Sequence, residues 1–380
     1  MNVWNVLAVD DDPRKLDEIE RIFSRGIDDN IFYFTKETSF DEGARLIEKN
    51  RFDFVFLDVH EDKNDPDPSI EPAEEDQRGE EILQALQNSR FLPVIFYTGF
   101  PDKVRHLCSP LVQVVSKGSS VQEIRAAVQA ILDMKLLHLF KYIEEQGRSY
   151  MWDSLSSTLD GHWGDIKPRE ISLLLARHIS KSLSKEVIKQ LLEMDHKIID
   201  PLEMYLYPPE GDSCNPADVF RSKADSSLWM VLTPACDFEQ SKADNVLLAR
   251  IKSITEHPVY NEWMSAKDAL EKIPENERTN EQKQGVKNLK GKVKSLVKNQ
   301  AGIRYRYLPK AFFLPDCVVD FQELIHLPAE QSEYYEPVCS LDSPFREEML
   351  SAFSKYYGRI GIPDYDSSVI LERIEKEYFE

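Results

Sequence analysis

The feature that most constrains this chain is the segment 51–58 (RFDFVFLD), an apolar run that ends on a single carboxylate. Between Arg51 and Asp58, Asp53 is the only polar residue, which is typical of a central strand of a parallel sheet, buried on both faces. Asp58 then lies at the carboxyl end of the strand, where ligands and reacting groups of open α/β sheets are found. Asp58 is therefore a candidate reacting group. If Asp58 were the only polar group at this edge, the alternative would be an aspartate that caps a helix or lies in a loop.

Other apolar runs near the start of the chain also end on polar side chains. They lead into Asp10, Asp11 and Asp12 after 3–9, into Thr98 after 91–97, and into Lys117 after 111–115. Because the carboxyl ends of parallel strands meet at one edge of a sheet, we expect these groups to gather beside Asp58. Adjacent carboxylates repel one another, and a hard divalent cation is suited to screen them.

In this order on predicted strand ends, these residues resemble the receiver domain of bacterial two-component response regulators, over residues 1–135. The resemblance implies an α/β receiver fold, a flavodoxin-like five-stranded parallel sheet of order 2-1-3-4-5 with helices on both faces. It also implies that a sensor histidine kinase transfers a phosphoryl group to this chain in a reaction that needs Mg²⁺. The implied roles are phosphoacceptor for Asp58, Mg²⁺ ligands for Asp10, Asp11, Asp58 and the backbone carbonyl of His60, hydrogen-bond donor to the phosphoryl group for Thr98, and counter-charge for Lys117. The chain would then be a phosphoprotein of a phosphorelay, not an enzyme.

The chemistry of phosphoryl transfer supports these roles independently. The reaction needs in-line positioning and cations that stabilise charge on the transferred oxygens, which Mg²⁺ and Lys117 would supply. Mg²⁺ prefers a few carboxylates together with water over a full protein cage. The alternative is a doubly wound domain whose acids are incidental.

Four positions matter for how this receiver would differ from its relatives. Gly118 follows the lysine where the family usually has proline, and Val114 stands where many relatives carry an aromatic switch residue. His60 and Phe100 occupy the two positions that influence hydrolysis of the acyl phosphate in receivers. A bulky Phe100 would hinder an attacking water, so we predict a slowly hydrolysing phosphoryl-aspartate.

The segment 60–77 (HEDKNDPDPSIEPAEEDQ) is long, acidic and proline-bearing, whereas relatives enter the next helix within a few residues. Such a composition cannot bury enough apolar surface to order itself, so the sequence predicts a mobile lid or docking loop. Its charge would favour Mg²⁺ and disfavour small anionic phosphodonors.

Apolar residues from 119 to 146 are spaced for one face of a single long helix, about 40 Å in length. Its far half would pack on a second domain or on another copy of the chain, so a homodimer is a candidate assembly. We assign residues 1–135 to the receiver, 136–200 to a helical connector and 201–380 to a further domain.

The segment 201–380 alternates predicted strands and helices and is interpreted as an α+β domain of unknown activity, with a helical insertion at about 258–300. TPACD (233–237), FLPDCVVDF (313–321) and SPFREEMLSAFSKYYGRIGIP (343–363) resemble features of an uncharacterised bacterial domain. The segment contains no Walker loop, HExxH motif or nucleophile elbow. Cys236 is a candidate reactive thiol or, with Cys214, Cys317 and Cys339, a metal ligand. Because no pair has CxxC spacing, a buried structural cysteine is the prediction.

The segment 283–310 is strongly basic, and Tyr305 and Tyr307 alternate with Arg304 and Arg306. Two interpretations remain open: these residues form a nucleic-acid-binding surface, or they are the solvent-exposed face of a helical hairpin. The formal net charge of −20 and the pI near 4.9 argue against nucleic acid as a general partner.

The whole chain has the properties of a cytoplasmic signalling protein. Its 5 cysteines are scattered, which fits a reducing compartment. No signal peptide and no apolar run long enough to span a membrane is present in the sequence.

Three functions remain open at this point. One is a conventional switch that changes contacts to the second domain or to a separate effector protein. The second is a phosphoryl sink that sets a threshold for such an effector, by analogy with auxiliary receiver proteins of phage-defence two-component systems. The third is a receiver-gated effector whose second domain is an enzyme or a nucleic-acid binder.

Overall fold

The computed structural model describes residues 1–59, 78–89, 91–155, 157, 167–195, 197, 199–209, 214–240, 242–328, 333–360 and 366–378. The chain divides into two compact units, residues 1–196 and 197–380. In the part of the chain described, none of the helices combines the length and the apolar composition that crossing a membrane requires.

The first unit is built on a five-stranded parallel sheet of order β2-β1-β3-β4-β5. Its strands are β1 (Asn2–Val9), β2 (Asn30–Glu37), β3 (Phe54–Leu57), β4 (Val94–Thr98) and β5 (Val112–Ser116). This order confirms the predicted flavodoxin-like receiver fold. Strand β3 is shorter than the predicted run because Asp53 lies before it and accepts a hydrogen bond from the backbone N–H of Asn5 at 2.6 Å.

Helices cover both faces of this sheet. They are α1 (Pro13–Phe23), α2 (Phe40–Lys49), α3 (Arg78–Ser89), α4 (Pro101–Val104) and α5 (Val121–Asp133). Because side chains alternate along a strand, Val6 of β1 enters the core beneath α1 and α5, and Leu7 enters the core beneath α2 and α3. Each fully buried Leu, Ile or Phe side chain stabilises the fold by roughly 1.5–3 kcal/mol. The two cores hold the strand ends in fixed register.

The single helix predicted from 119 to 146 is wrong. Helix α5 ends at Asp133, and α6 (Leu136–Ser149) starts after Lys135, which has a left-handed φ of 57°. Two helices fit one apolar stripe here because Leu132 and Leu137, on either side of the break, enter the same core. The Lys135 ammonium is held by the carboxylate of Glu193 at 2.7 Å.

The remainder of the first unit is helical. A π-helical turn (Tyr150–Leu155) is followed by α7 (Pro168–Ser182) and α8 (Lys185–Leu191). The Tyr150 ring stacks on the His178 ring at 4.2 Å between centroids, and the hydroxyl of Tyr142 donates to the carbonyl oxygen of Ser182 at 3.2 Å. These contacts join α6 and the π-helical turn to α7.

The second unit contains a seven-stranded antiparallel sheet of order β10-β11-β9-β8-β7-β12-β6. Its strands are β6 (Tyr205–Leu206), β7 (Asp218–Ser222), β8 (Leu228–Val231), β9 (Asn245–Ser253), β10 (Tyr305–Leu308), β11 (Cys317–Pro328) and β12 (Tyr335–Leu341). Its helices are α9 (Ala235–Glu239), α10 (Pro258–Glu271), α11 (Asn280–Val297), α12 (Phe345–Tyr357) and α13 (Ser367–Tyr378). This is an α+β domain, as predicted, and α10 and α11 form a helical hairpin between β9 and β10.

Candidate phosphoacceptor site

The register of two strands brings the first carboxylates together. Val9 of β1 pairs with Leu57 of β3 in parallel, so the next residues, Asp10 and Asp58, are neighbours at the carboxyl edge of the sheet. The backbone N–H of Asp58 donates to the carbonyl oxygen of Val9 at 2.9 Å. The Asp58 side chain is buried, and its Oδ1 accepts a hydrogen bond from the N–H of Val59 at 2.8 Å.

Lys117 bridges these two carboxylates. Its Nζ lies 2.8 Å from Asp58 Oδ2 and 2.8 Å from Asp10 Oδ2. The backbone N–H of Lys117 donates to the carbonyl oxygen of Thr98 at 2.8 Å, which fixes the start of this side chain to the end of β4. Burial alone would lower the pKa of Lys117, but the nearby charges of Asp58 and Asp10 outweigh it and raise that pKa. The ammonium is therefore a permanent positive charge in this site.

Asp10 is the most deeply buried acid of the site, with 2% of its surface exposed. Its Oδ1 accepts a hydrogen bond from the N–H of Asp12 at 3.0 Å, whereas its Oδ2 makes the ion pair with Lys117 and receives no directed hydrogen bond from the described residues. Burial, followed by repulsion from Asp58, raises the pKa of Asp10 to about 6, although Lys117 acts in the opposite direction.

The carboxylates of Asp10, Asp11 and Asp58 fit a divalent metal ion. One oxygen from each lies within 4.8 Å of the others, and the ligand set is oxygen only, which Mg²⁺ prefers. The fourth predicted ligand, the carbonyl of His60, lies outside the described residues.

Asp12, the third acid of the run, has a different role. It is the N-cap of α1, where its Oδ1 accepts from the N–H of Arg14 at 2.9 Å. The guanidinium of Arg14 also binds both oxygens of this carboxylate, at 2.9 Å each. The hydrogen bond from Arg14 lowers the pKa of Asp12.

Thr98 ends β4, which lies between β3 and β5 in the sheet, so it is at the same edge as Asp58 and Lys117. The side chain is fully buried, and its Oγ1 accepts a hydrogen bond from the N–H of Phe100 at 3.1 Å. Because a hydroxyl both donates and accepts, the Thr98 proton is still available for another oxygen.

The positions that differ from the receiver pattern lie near this edge. Phe100 is half-buried and is the N-cap residue of α4, with the Lys103 ammonium 5.8 Å from its ring centroid. Val114 lies in β5 and packs on the core beneath α2 and α3. The acidic segment 60–77 lies outside the described residues.

The ion pair between Lys117 and Asp10 was not predicted, because the receiver pattern assigns Lys117 to the phosphoryl group. The signal that could have indicated it is the charge count at the strand ends. Lys117 is the one cation placed among the acids at 10, 11 and 58. A buried acid pair needs a neighbouring positive charge, so this charge count indicates a cation near the pair without specifying which carboxylate it contacts.

The prediction that Cys236 is a buried structural cysteine is wrong. It lies exposed in α9, a one-turn helix on the surface, and its Sγ donates to Asp237 Oδ1 at 3.5 Å. Cys317 and Cys339 are buried, and burial raises the pKa of Cys339 to about 12. Among the described residues, the only cluster of three or more potential metal ligands is formed by the carboxylates at 10, 11 and 58. The described cysteines are therefore not part of a metal-binding cluster of this size.

The arginines of the basic segment pair with acids of the second unit, and the Arg304 guanidinium also lies 4.7 Å from the Tyr305 ring centroid. Arg304 makes two hydrogen bonds of 2.7 Å to the fully buried carboxylate of Asp320. Arg306 is itself buried and pairs with Glu348 at 3.1 Å. Both guanidinium groups are therefore part of the second unit's own structure.

We expect the metal-free first unit to become less stable as the pH rises from about 4 to 7, in part because of Asp10. Its folded pKa of about 6 exceeds the ordinary value of 3.8, so the folded state binds more protons in this range. The stabilisation is complete below the unfolded pKa and is lost as the pH passes the folded one, by roughly 2–3 kcal/mol.

Denaturant unfolding in chelator at several pH values measures this effect, and the Asp10→Asn variant should have a flatter profile. Asp12→Asn is the matched control, since the pKa of Asp12 is lowered rather than raised and its contribution to stability has the opposite pH dependence. Identical profiles for the native chain and Asp10→Asn would contradict the prediction.

Comparison with known proteins gives structural likeness only. No family model and no curated protein matches this chain. A response regulator receiver domain protein from Clostridium thermocellum is 23% identical with a TM-score of 0.26, covering 35% of this chain and 98% of that one. A receiver protein from Sinorhizobium medicae is 16% identical with a TM-score of 0.27, covering 34% and 95%. A Thermotoga maritima response regulator in complex with Mg²⁺ and BeF is 19% identical with a TM-score of 0.25, covering 34% and 99%. These scores are too low to carry an assignment, so the receiver fold rests on the strand order and the parallel register of the first unit.

Proposed function

We propose that this chain accepts a phosphoryl group on Asp58 from a histidine kinase, in a reaction that depends on Mg²⁺. The observation that carries the proposal is the contact of one ammonium, Lys117, with two buried carboxylates, Asp58 and Asp10, at the carboxyl edge of a parallel sheet. A buried acid pair next to a fixed cation is costly to build, and such pairs are concentrated at functional sites.

Each side chain has a distinct part in the proposed transfer. A carboxylate oxygen of Asp58 forms the new bond to phosphorus, and the bond from phosphorus to the kinase histidine breaks, leaving a neutral imidazole once it takes up a proton. The Asp58 oxygen loses its negative charge on forming the new bond, the electron pair of the broken bond leaves with the imidazole nitrogen, and the phosphoryl group brings its own negative charge into the site. Lys117, already on Asp58 Oδ2, can follow that charge, and the Thr98 hydroxyl can donate to it. The three carboxylates would hold Mg²⁺, which would neutralise charge on the transferred group.

We further propose that the chain works as a phosphoryl sink. The support is Val114, a small aliphatic residue on the core at the position where an aromatic switch residue would act. A conventional switch would change the second unit on phosphorylation, which hydrogen exchange of residues 197–380 would detect. A role in phage defence stays a prediction, as does the receiver-gated effector. Loss of a second-unit activity in Cys236→Ala would favour the enzymatic form of that effector.

The proposal is tested by phosphoryl labelling of the purified full chain with a histidine kinase or a small phosphodonor. Label is expected in Mg²⁺ and should fall at least roughly tenfold in excess chelator, because cation stabilisation of the transferred group is lost. Absence of label from every donor in Mg²⁺ would contradict the proposal.

We expect Phe100→Ala to speed hydrolysis of the acyl phosphate by roughly three- to tenfold, because the ring restricts the approach of water to the site. The decay of label after removal of the donor measures it. Lys103→Ala is the control, since it removes the ammonium near the ring and leaves the ring in place. Equal decay in Phe100→Ala and the native chain would show that the ring does not protect the phosphate.

A further inference from the structure

A stripe of five lysines runs along one face of α11 and ends at Lys298, the C-cap of this helix, and no function described above uses it. The lysines lie at 283, 287, 290, 294 and 298, and all are exposed. Steps of four, three, four and four residues place them within about 80° of one another around the helix axis, over a length of about 22 Å. Lys292 is also exposed but lies on the opposite face of α11.

These five lysines, here called the lysine stripe, are not used by the structure itself. Among the residues that the structure describes, no ion pair includes any of them. In α10, by contrast, Lys267 pairs with Glu271 four residues later, at 3.6 Å. Helix α11 itself carries one acid, Glu281 in its first turn. A helix face that only contacts solvent is expected to carry acidic and basic residues that pair, as Lys267 and Glu271 do. The lysine stripe carries basic residues alone.

The helix that carries the stripe is fixed at both ends. At the start, Thr279 and Gln282 form a reciprocal capping box. At the end, Asn299 Oδ1 accepts from the N–H of Tyr307 at 2.6 Å. Val293 and Leu296 are buried, and Leu296 joins the apolar cluster that α11 shares with β11. The five ammonium groups are therefore presented on a rigid support.

We propose that the lysine stripe binds the phosphodiester backbone of a nucleic acid without reading its sequence. Protein interfaces are depleted of lysine at their centres and depend on aromatic and arginine anchors, and α11 contains neither residue type. Lysine is a compact point charge on a flexible stem that contacts phosphates, whereas the planar guanidinium of arginine and the amides of asparagine and glutamine have the fixed geometry that suits bidentate base contacts. A lysine-only face is thus suited to backbone contact.

The net charge of −20 does not prevent this contact but restricts it to the stripe. At physiological ionic strength, charges more than about 8 Å apart are largely screened, so the local field of α11 differs from that of the whole chain. The proposal depends on the second unit alone, and so it stands or fails independently of phosphorylation at Asp58.

Fluorescence anisotropy of the full chain with a labelled 20-base-pair DNA duplex, and with a single-stranded RNA of equal length, tests the proposal. Five phosphate contacts predict a slope of log affinity against log salt of about −4.5 for the duplex and about −3.5 for the single strand. Between 50 and 200 mM salt, affinity for the duplex should fall about 500-fold. The tighter ligand identifies the form of nucleic acid that the stripe prefers.

Two variants with equal charge change separate the stripe from net charge. Lys287→Glu/Lys294→Glu alters the stripe, and Lys272→Glu/Lys292→Glu alters the same hairpin off the stripe. The first should lose at least about tenfold in affinity and reduce the slope by about 1.8, while the second keeps the slope. No binding of either nucleic acid at 50 mM salt overturns the proposal, as does equal loss in both variants. Binding of polyglutamate alone also overturns it, in favour of an acidic protein.

Discussion

Replacing Asp58 with asparagine is expected to abolish phosphoryl incorporation, with residual label at least about a hundredfold lower, because an amide is not a competent nucleophile toward phosphorus. Asparagine keeps the shape of the side chain and an oxygen that can accept from the N–H of Val59. It also leaves Lys117 its ion pair with Asp10. The fold should therefore persist, and the lost reaction would report on chemistry alone.

Asp12→Asn is the matched control for this experiment. It removes a carboxylate from the same acidic run, but that carboxylate caps α1 and binds Arg14 rather than facing Lys117. Labelling of Asp12→Asn should remain close to that of the native chain. Equal labelling of Asp58→Asn and the native chain would place the phosphoryl group on another residue and would refute the proposed role of Asp58.

Replacing Lys117 with methionine is expected to destabilise the metal-free first unit at pH 7 by about 3–5 kcal/mol, the usual cost of leaving buried charges without their partner. Asp10 and Asp58 are both buried, and both lose a cation at 2.8 Å. Phosphoryl incorporation should fall as well. Denaturant unfolding in chelator, fitted for the transition of the first unit, measures the change.

Lys36→Met provides the contrast, because Lys36 also pairs with two acids, Asp17 at 2.8 Å and Glu20 at 2.7 Å. Those pairs lie at the surface, where water and salt screen them, so little change in stability is expected. Adding Asp10→Asn to Lys117→Met should restore part of the lost stability, since it removes one of the two unpaired charges. A Lys117→Met chain as stable as Lys36→Met would show that burial of the acid pair carries no such cost.

The gathering of polar groups at one sheet edge could be predicted because strand periodicity and strand ends are local properties of the sequence. The parallel order then brings Asp10, Asp58 and Lys117 together without further information. Their exact pairing could not be predicted, since contact between Lys117 and Asp10 depends on side-chain positions that only the assembled sheet defines.

Features governed by tertiary contacts were harder to predict. The break at Lys135 leaves the apolar spacing intact, so no pattern marks it. Arg304 and Arg306 look like surface charges in sequence, yet their partners, Asp320 and Glu348, are distant along the chain. Cys236 is exposed because it lies in α9, a surface helix without a buried residue, and this surface position is not evident from the local sequence.

The pairing of Val9 with Leu57 has a consequence for how the protein matures. A slip of β3 by one residue against β1 would turn every β3 side chain to the opposite face, exchanging the two cores and carrying Asp58 away from Asp10. Chains trapped in such a slipped state could be compact and still unreactive. The fraction of the purified protein that can be phosphorylated would then equal the fraction in which β3 is paired with β1 in the correct register.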